Sequence, residues 1–444
     1  MVEEHGADAF WIDDDRVRTW RDFGNVFEER REQCAIAGVG AGQIVAILAD
    51  DGFDLLTWLF AAASLQATVA PLRIERRSEL ETWAKFTVID WQVQDGALVK
   101  AGFGQTTATS VGLLAELLRR GHPGLILATG GTTGVPKVVL LDLWELLGVV
   151  QIKRGRSMRL MPLMRFDHIG GLDIAWRAIA RGQSIVAPPA LLTPASVAEK
   201  VERHRVEVLP ATPSFLNLLL LAGADLLQGL RSLRVVPYGA EPMPPSLLAR
   251  LRESLPEVRF TQRFGTSETG ALPVRESGEG FTMQDEADRH EWKIVEGELW
   301  IRSPARAVGY LSGGSGGLTE DGWFRTGDLA ERTHDPAAVR IVGRRDELIN
   351  VGGEKVLPAT VENLLLAHPL VADCRAFAVP NPLLGQVVGV EIVWRGPEKD
   401  PIEVKRSLHE FARSSPKCYL PTTVRLVRAI DSTRNLKKRR SALS

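Results

Sequence analysis

A run of small, hydroxyl-bearing and basic residues follows an apolar segment that is typical of a buried strand, Leu125 to Ala128. The run consists of Thr129, Gly130, Gly131, Thr132, Thr133, Gly134, Val135, Pro136 and Lys137. Glycines let backbone N–H groups approach an anion, threonine hydroxyls donate hydrogen bonds, and the lysine adds positive charge, so this loop suits phosphate binding. A Walker A motif is excluded because a valine and a proline separate the last glycine from the lysine. The alternative is a flexible surface turn, which is disfavoured for this combination of residues directly after a strand.

The totals indicate an ordinary globular protein of more than one domain. At 444 residues we expect two or three domains, and 45% hydrophobic with 25% charged residues is a typical composition. A formal net charge of −1 gives no general reason to expect nucleic acid or an anionic membrane as a partner. The three cysteines are far apart and lack CxxC spacing, which argues against a disulfide framework or a zinc site and is typical of a reducing cytoplasm.

No segment predicts export or membrane insertion. The first ten residues, MVEEHGADAF, are acidic and lack an apolar core, so we expect no signal peptide. No uninterrupted apolar run approaches the roughly 20 residues that a membrane span needs. We therefore predict a cytoplasmic protein.

Strand and helix patterns alternate along the first two thirds of the chain. Helical spacing covers residues 16–37, and Arg73 to Ser110 is too weakly patterned for a prediction. Strands are predicted at Ile44–Leu48, Ala67–Pro71, Arg159–Met161, Ser184–Ala187, Val206–Leu209, Leu233–Val236 and Val258–Phe260. Further helices are predicted at Asp54–Leu65, Asp173–Arg181, Pro194–His204, Pro213–Leu221 and Ser246–Leu255. This alternation predicts largely parallel α/β layers, in which ligands bind at the carboxyl ends of the strands.

The last third of the chain has a different pattern. From about Glu298 the predicted elements are strands, at Glu298–Ile301, Leu329–Arg332 and Ala338–Val342. A boundary near residue 343 predicts two domains, residues 1–343 and 344–444. The second would contain helices at Ala359–His368 and Ile402–Arg413 and strands at Val371–Val379 and Val388–Trp394. About 100 residues suffice for a small α+β domain.

Further polar clusters occur along the chain, and each read alone could be a turn or a solvated surface. They are Tyr238-Gly239-Ala240-Glu241-Pro242, Phe264-Gly265-Thr266-Ser267-Glu268-Thr269, Arg325-Thr326-Gly327-Asp328, Gly343-Arg344-Arg345-Asp346, and Val351-Gly352-Gly353-Glu354. Together with the opening loop they resemble, in the same order, the motifs of the adenylate-forming superfamily of acyl- and aryl-CoA synthetases, carrier-loading adenylation domains and luciferases. Gly130 stands where the family usually has serine, and Ser267 where it usually has threonine.

The resemblance implies a site for ATP and Mg²⁺. The opening loop would hold the β- and γ-phosphates, while Gly239, Ala240, Glu241 and Phe264 would belong to the adenine site. Asp328 would bind the ribose diol, and Arg344 would add a second sugar or phosphate contact. Ser267 would contact the α-phosphate and Glu268 would hold Mg²⁺, for which one protein carboxylate suffices beside phosphate oxygens. The alternatives are a solvated or capping Glu268 and a surface Arg344–Asp328 pair.

The C-terminal motif aligns with the family's Thr-Pro-Asn-Gly-Lys ending. Lys437 takes the position of the adenylation lysine, which neutralises charge on the reacting carboxylate and α-phosphate. Leu436 replaces the glycine and Arg434 the proline, so the sequence leaves open whether this loop closes normally or whether Lys438 partly substitutes. A solvated basic tail is the alternative reading. In the family, Asp346 would be the hinge residue, and the Gly352-Gly353 loop would line the pantetheine tunnel.

Pro162 to Leu172 resembles the family's acyl-pocket motif. His168 would gate the path of the carboxylate or the thiol. Asp167 is unusual for an apolar pocket: a cationic or amino-bearing substrate would explain it, but exposure to solvent or pairing with Arg165 is the favoured reading. The remaining pocket candidates are Thr212, Arg263 and Thr269.

The resemblance covers nearly the whole chain and implies a fold and an activity. The fold is a large N-terminal domain of layered α/β sheets with a β-rich closing region, plus a small mobile α+β C-terminal domain. The activity is a two-step acid–thiol ligase using ATP, Mg²⁺ and coenzyme A, and the chain length favours an aryl acid. The alternatives are a stand-alone enzyme that loads a carrier protein or activates another oxyanion, and a non-catalytic nucleotide-binding regulator. We expect a monomer or homodimer.

Overall fold

The computed structural model describes residues 5–129, 137–150, 152, 157–277, 280–283, 289–398, 400–431, 433 and 438. Residues 130–136 and Lys437 lie outside this part of the chain. The predictions for Gly130, Gly131, Thr132, Thr133, Gly134 and Lys437 therefore fall on residues that the structure does not describe.

Most helices begin at residues whose side chains cap them. The helices are α1 Trp20–Ala37, α2 Gly52–Ser64, α3 Glu79–Trp83, α4 Ala108–Arg120, α5 Leu143–Gly148, α6 Ile169–Ala180, α7 Pro194–His204, α8 Pro213–Leu221, α9 Ala224–Gln228, α10 Pro245–Ser254, α11 Pro358–Leu366 and α12 Pro401–Phe411. The hydroxyl of Thr193 accepts a hydrogen bond from the N–H of Ser196, and proline occupies the first helical position of α7. The predicted start of α7 is therefore confirmed, with the capping chemistry that favoured it.

The strands form several sheets. They are β1 Ala9–Ile12, β2 Val17–Thr19, β3 Ile44–Leu48, β4 Thr68–Leu72, β5 Val88–Gln94, β6 Ala97–Gly104, β7 Gly124–Thr129, β8 Lys137–Asp142, β9 Arg159–Leu160, β10 Ser184–Val186, β11 Val235–Tyr238, β12 Arg259–Gln262, β13 Gly265–Thr266, β14 Gly270–Ala271, β15 Val274–Ser277, β16 Gly280–Met283, β17 Glu291–Val295, β18 Glu298–Arg302, β19 Gly309–Tyr310, β20 Phe324–Arg332, β21 Ala338–Arg344, β22 Ile349–Val351, β23 Glu354–Val356, β24 Val371–Asn381, β25 Gly385–Trp394 and β26 Thr423–Leu426.

The first sheet has seven strands in the order β19-β8-β7-β4-β3-β5-β6. Its inner strands β7, β4 and β3 are parallel, as predicted, and β5, which was not predicted, is parallel to β3. The outer strands β6, β8 and β19 are antiparallel and were not predicted. Apolar residues of its strands β3, β4, β7 and β8 are buried on both faces, so this sheet is the centre of the largest hydrophobic core.

The second sheet contains β2-β1-β10-β9, and β11 pairs with β12 in parallel beside it. The strand predicted at Val206–Leu209 is wrong: Val208 makes only isolated bridges, to Leu160 and Val235. Pro210 follows this segment and has no N–H to donate to a ladder. Because β11 and β12 run in the same direction, their carboxyl ends bring residues 239–241 and 263–268 to one edge.

Two further sheets cover the end of the chain. Strands β15-β16-β21-β20-β18-β17 form an antiparallel sheet, which is the predicted β-rich region. Strands β23-β22-β25-β24, with β26 beside β25, form a five-stranded sheet that packs with α11 and α12 around a hydrophobic cluster of its own. The boundary between residues 343 and 344 stays a prediction. No described helix has the length and apolar character needed to cross a membrane.

Candidate active site

The opening loop leaves one strand and returns in its neighbour. In the β7–β8 ladder Thr129 pairs with Lys137, so the two ends of the loop are held side by side. The Nζ atom of Lys137 lies 5.8 Å from the centre of the Tyr310 ring, in β19. The described ends are therefore compatible with a compact anion-binding turn, whose phosphate contacts stay a prediction.

The side chain and the backbone carbonyl of Glu268 each accept a hydrogen bond. The hydroxyl of Tyr310 donates to its Oε1 at 2.8 Å, and its backbone carbonyl accepts from the N–H of Ala307 at 2.6 Å. Burial raises the pKa of Tyr310, and the neighbouring charge of Glu268 raises it further. The phenol is thus a stable donor that orients a half-buried carboxylate.

A glycine-rich loop covers the Tyr310 ring. Four residues between Ser312 and Leu318 are glycines in the left-handed region, Gly313, Gly314, Gly316 and Gly317. A Cβ atom on Gly316 would overlap the tyrosine ring, so the close approach requires glycine at this position.

Ser267 lies in a turn built by threonines. The Thr266 hydroxyl accepts from the N–H groups of Glu268 at 3.2 Å and Thr269 at 3.1 Å. The Thr269 hydroxyl is buried, lies 3.0 Å from that of Thr266, and donates to the carbonyl of Gly270. The hydroxyl of Thr269 is therefore used inside the turn, whereas Ser267 makes no side-chain hydrogen bond within the described residues.

The predicted adenine segment follows β11. A Cβ atom on Gly239 would lie 2.7 Å from the carbonyl oxygen of Arg263, so no side chain can be accommodated there. Ala240 has a left-handed backbone with φ of 69°. Next to it, Glu241 Oε2 accepts from the N–H of Ser214, at the start of α8, at 3.1 Å. A flat, side-chain-free surface of this kind suits the packing of an aromatic base.

Phe264, another predicted nucleotide-binding residue, packs against the antiparallel sheet. Its ring stacks on Phe281 of β16 with ring centres 5.2 Å apart and planes 23° apart. It remains partly exposed, so one aromatic pair connects the adenine segment with the antiparallel sheet.

Asp328 and Arg344 lie opposite each other in the β20–β21 ladder. Arg344 Nη1 donates to Asp328 Oδ1 at 3.2 Å, and Arg344 Nε to Asp346 Oδ1 at 3.4 Å. Asp328 is buried, whereas the side chain of Arg344 is 44% exposed. The geometry links the predicted ribose ligand to the predicted hinge, and both roles stay predictions.

Lys438 joins the tail of the chain to both parts of the protein. Its Nζ donates to Asp373 Oδ1 at 2.8 Å and to the carbonyl of Cys374 at 2.6 Å. Its backbone N–H donates to Glu241 Oε1 at 2.7 Å. Burial by itself would lower the pKa of Lys438, but the charges of Glu362 and Asp373 outweigh burial and raise it. We call these four residues, Lys438, Asp373, Glu362 and Glu241, the Lys438 cluster.

Because the ammonium of Lys438 is bound in this cluster, the structure offers no support for Lys438 as a substitute for Lys437. A second contact lies beside it: Asn217 of α8 donates to the carbonyl of Ala372 at 3.3 Å. Arg250 of α10 donates in turn to the Asn217 side chain. The C-terminal sheet is therefore docked on the α8–α10 surface, next to the adenine segment.

His168 and Thr212 both cap helices. The Nδ1 of His168 accepts from the N–H of Gly170 at 3.0 Å, and the Thr212 hydroxyl accepts from the N–H of Phe215 at 3.2 Å. Thr212 is 2% exposed. These capping bonds explain both side chains structurally, and their pocket roles stay predictions.

Asp167 does not form the expected pair with Arg165, nor does it point into solvent. It is 4% exposed, and its Oδ2 accepts from Arg76 Nη1 at 2.7 Å. Arg76 is also bound by Glu79, while Arg165 pairs with Glu75. Arg76 lies beside the acyl-pocket motif, and its positive charge neutralises the buried carboxylate of Asp167. Asp167 therefore gives no reason to expect an amino-bearing substrate.

The sequence analysis missed Tyr310 and Asp373. Both act through contacts with residues far away in the sequence, 42 residues for Tyr310–Glu268 and 65 for Lys438–Asp373. An aromatic residue directly after Gly309 is a weak signal for the first. The second had none, because a buried aspartate in a strand has no local pattern.

Comparison with known proteins identifies the class that this fold and site define. Residues 87–311 match the family described as AMP-binding enzyme, and residues 360–437 match the AMP-binding enzyme C-terminal domain. The chain belongs to the AMP-binding enzyme family, and the resemblance to adenylate-forming enzymes is confirmed.

Individual relatives differ in the thiol that their names imply. The 4-coumarate–CoA ligase-like 2 protein of Arabidopsis thaliana is 30% identical over 307 residues, 63% of this chain and 54% of the relative. The L-proline–[L-prolyl-carrier protein] ligase of Pseudomonas fluorescens is 26% identical over 463 residues, 93% of this chain and 90% of the relative. The chain thus spans about half the length of the plant relatives that it matches.

Solved structures confirm the predicted fold class. The anthranilate CoA ligase AuaEII in complex with anthranoyl-AMP superposes with a TM-score of 0.80 at 18% identity, covering 98% of this chain and 93% of that chain. The o-succinylbenzoate CoA synthetase MenE of Bacillus subtilis, in complex with OSB-AMP, gives 0.73 at 21% identity, covering 98% and 95%. The chain shares their large N-terminal part and small C-terminal part.

Proposed function

We propose that this protein is an ATP-dependent carboxylic acid–CoA ligase that forms an acyl- or aryl-adenylate and then a thioester, releasing pyrophosphate and AMP. The observation that carries the proposal is the 2.7 Å hydrogen bond from the Lys438 backbone to Glu241. It joins Lys438, the sequence neighbour of the predicted adenylation lysine, to the predicted adenine segment. Docking of the C-terminal tail beside the nucleotide is what the adenylation step requires.

In the first step, a carboxylate oxygen of the acid attacks the α-phosphorus of ATP. The bond from this phosphorus to the bridging oxygen of pyrophosphate breaks, and an acyl-phosphate anhydride forms. Ser267 would donate a hydrogen bond to an α-phosphate oxygen, and Lys437 would neutralise developing negative charge. Asp328 would orient the ribose.

Glu268 supports the proposal of a magnesium site. The described residues contain no group of three or more His, Cys, Asp or Glu side chains that could hold a metal ion. Mg²⁺ in nucleotide sites needs only one or two carboxylates, because phosphate oxygens and water complete its shell. A half-buried carboxylate oriented by Tyr310 meets that requirement, and the bound ion would offset phosphate charge.

In the second step, the sulfur of a thiol attacks the acyl carbon, the acyl–oxygen bond to AMP breaks, and the thiol proton is released. Gly352 and Gly353 form the tip of the β22–β23 hairpin with φ values of 59° and 99°. A turn without side chains suits a passage for a thin pantetheine arm. Rotation of residues 344–444 about Asp346 would exchange this turn for the tail, as in hinge closure.

Two observations bear on the substrates. Structures named as aryl-CoA ligases share the fold over nearly the whole chain, which supports an aryl acid and CoA. The relative that covers 93% of the chain is named as a carrier-protein ligase, which favours carrier loading as the second candidate function.

Acid-dependent exchange of labelled pyrophosphate into ATP, measured over aryl and aliphatic acids, tests the first step. We expect Lys437→Ala to abolish exchange while leaving thioester formation from a supplied acyl-adenylate intact. Normal exchange by this variant would overturn the assignment of Lys437. Offering CoA and a phosphopantetheinylated carrier protein side by side then distinguishes the two candidate functions by which thiol becomes acylated.

A further inference from the structure

Two ion pairs of opposite polarity join the segment after β4 to the acyl-pocket motif. Arg76 Nη1 donates to Asp167 Oδ2 at 2.7 Å, so here the motif supplies the anion. In the neighbouring pair the motif supplies the cation, because Arg165 donates to Glu75. The partners lie 91 and 90 residues apart in the sequence. We call Glu75, Arg76, Arg165 and Asp167 the Arg76 clasp.

The Arg76–Asp167 pair is the inner pair of the clasp. Asp167 is buried and the side chain of Arg76 is 20% exposed, whereas that of Glu75 is 42% exposed. Arg76 also binds Glu79 with two parallel bonds, from Nε to Oε1 at 2.7 Å and from Nη2 to Oε2 at 2.6 Å. One planar guanidinium thus bridges two carboxylates, a geometry that fixes its orientation.

The first half of the clasp is attached to the edge of the seven-stranded sheet. Asp50, just after β3, accepts from the N–H of Ile74 at 3.3 Å, and Arg73 Nε lies 3.1 Å from the same carboxylate oxygen. Strands β3, β4 and β7 are parallel neighbours, so their carboxyl ends lie at one edge. The clasp therefore begins at the edge from which the predicted phosphate loop leaves β7.

The second half of the clasp lies in a turn that is itself closely packed. The N–H of His168 donates to the carbonyl of Arg165 at 3.2 Å. A Cβ atom on Gly171 would overlap the same carbonyl oxygen, so helix α6 begins in direct contact with this turn. His168, the predicted gate of the acid site, is the next residue after Asp167 and the N-cap of α6. The position of His168 is therefore coupled to that of Asp167.

We propose that Arg76 is a positioning residue for the acid site, holding the turn at residues 164–168 so that His168 faces the acid substrate. This inference rests on the proposed ligase function. Arg76 acts through Asp167 and does not contact the substrate. Loss of the pair should therefore weaken binding of the acid and leave binding of ATP unchanged, whereas a general loss of folded protein would reduce kcat alone.

The variant Arg76→Met tests this split in pyrophosphate exchange. The probe is the acid with the lowest wild-type KM in the panel of aryl and aliphatic acids, beginning with benzoate and hexanoate. We expect the KM for this acid to rise by about 10- to 100-fold, as for a displaced positioning group, and the KM for ATP to stay within about twofold of wild type.

Arg30→Met is the matched control. Arg30 forms an ion pair of the same length, 2.7 Å to Asp54, but between α1 and α2. Both KM values of this variant should stay within about twofold of wild type, as for a distant site. An acid KM that is unchanged in Arg76→Met, or raised equally in Arg30→Met, would overturn the proposal.

The double variant Arg76→Met/Asp167→Asn separates positioning from stability. Removing the carboxylate relieves the unpaired buried charge, so resistance to urea should recover towards wild type. The acid KM should stay raised, because the turn is still detached from Arg76. If stability and the acid KM recover together, Arg76 only neutralises Asp167 and the positioning role is wrong.

Hydrogen–deuterium exchange of the amides at residues 164–171 tests the clasp without a substrate. We expect these amides to exchange about tenfold faster in Arg76→Met than in wild type or Arg30→Met. If no acid supports pyrophosphate exchange by wild type, the ligase function falls. Faster hydrogen exchange in Arg76→Met would then still support the clasp, and an unchanged rate would overturn it.

Discussion

Lys438 and Arg263 are two basic side chains that differ in how the described residues balance their charge. Lys438 is held by a carboxylate at 2.8 Å and a carbonyl at 2.6 Å, and its carboxylate neighbours raise its pKa despite burial. Arg263 forms no ion pair within the described residues, and burial, followed by the charge of Arg177, lowers its pKa to about 10, although Asp173 acts in the opposite direction. The first cation therefore joins the tail of the chain to the C-terminal sheet, whereas the second has no such contact.

The largest expected effect is at Lys438, which joins the tail to the C-terminal sheet. Lys438→Met leaves the buried Asp373 without the ammonium that it binds, so we expect the free energy of unfolding to fall by about 3–5 kcal/mol. Urea denaturation measures this change. The double variant Lys438→Met/Asp373→Asn removes the orphaned charge and should recover part of the loss. A change in the free energy of unfolding below about 1 kcal/mol would show that the Lys438–Asp373 pair does not hold the tail in place, since exposed ion pairs have effects of that size.

Tyr310→Phe tests how the protein supports an anionic side chain, Glu268. Glu268 loses a neutral donor but keeps its charge, so we expect kcat/KM for pyrophosphate exchange to fall by about 10- to 30-fold, the usual effect of a hydrogen bond to a charged group. Exchange kinetics across Mg²⁺ concentrations measure it. Tyr419→Phe, in the C-terminal sheet region, is the control and should leave the rate unchanged; a similar loss there would make the effect non-specific.

Arg263→Met should move stability in the opposite direction from Lys438→Met. Replacing a partly buried cation that forms no ion pair within the described residues by an apolar side chain should raise the free energy of unfolding by about 1–2 kcal/mol in the absence of substrate. The same urea series measures it. If the variant is instead destabilised by several kcal/mol, Arg263 has a structural role and the contrast with Lys438 is lost.

The smallest expected effects are at two capping threonines. Thr193→Ala and Thr212→Ala each remove a helix cap and should cost about 1 kcal/mol of stability. Thr193 is the control for Thr212, which is also a pocket candidate. Parallel exchange kinetics test that role: activity lost only in Thr212→Ala, at matched stability, shows that this hydroxyl contacts the substrate.

Elements that are specified by neighbouring residues in the sequence were predicted correctly. The bounds of α7 and α8 are those predicted, because threonine followed by proline specifies a helix start over two residues. The β5–β6 hairpin was missed in the weakly patterned segment, although Asp95-Gly96 is a two-residue turn signal and both residues have positive φ. The segment predicted as a strand at Val206–Leu209 hydrogen-bonds to β9 and β11 but forms only isolated bridges, and Pro210 directly after it has no N–H to continue the pairing.

The same distinction between local and long-range contacts applies to the candidate site. Motif order indicated Gly239 and Glu268 as site candidates, and both follow strands whose carboxyl ends lie at one edge, whereas Asp328 lies inside β20. Sequence could not show that Asp167 pairs with Arg76, 91 residues away, or that Lys438 is bound by Asp373. Those contacts depend on how separate elements pack, and no short pattern encodes them.

The glycine-rich loop over Tyr310 has a consequence for order in the site. Ordering a residue's backbone costs about 1–2 kcal/mol of conformational entropy, and glycine is at the unfavourable end of that range. Residues 313–317 contain four glycines, so little enthalpy from side chains offsets this cost. On warming, this cover should therefore open locally before the sheets beneath it, exposing the phenol that orients Glu268 while the rest of the fold persists.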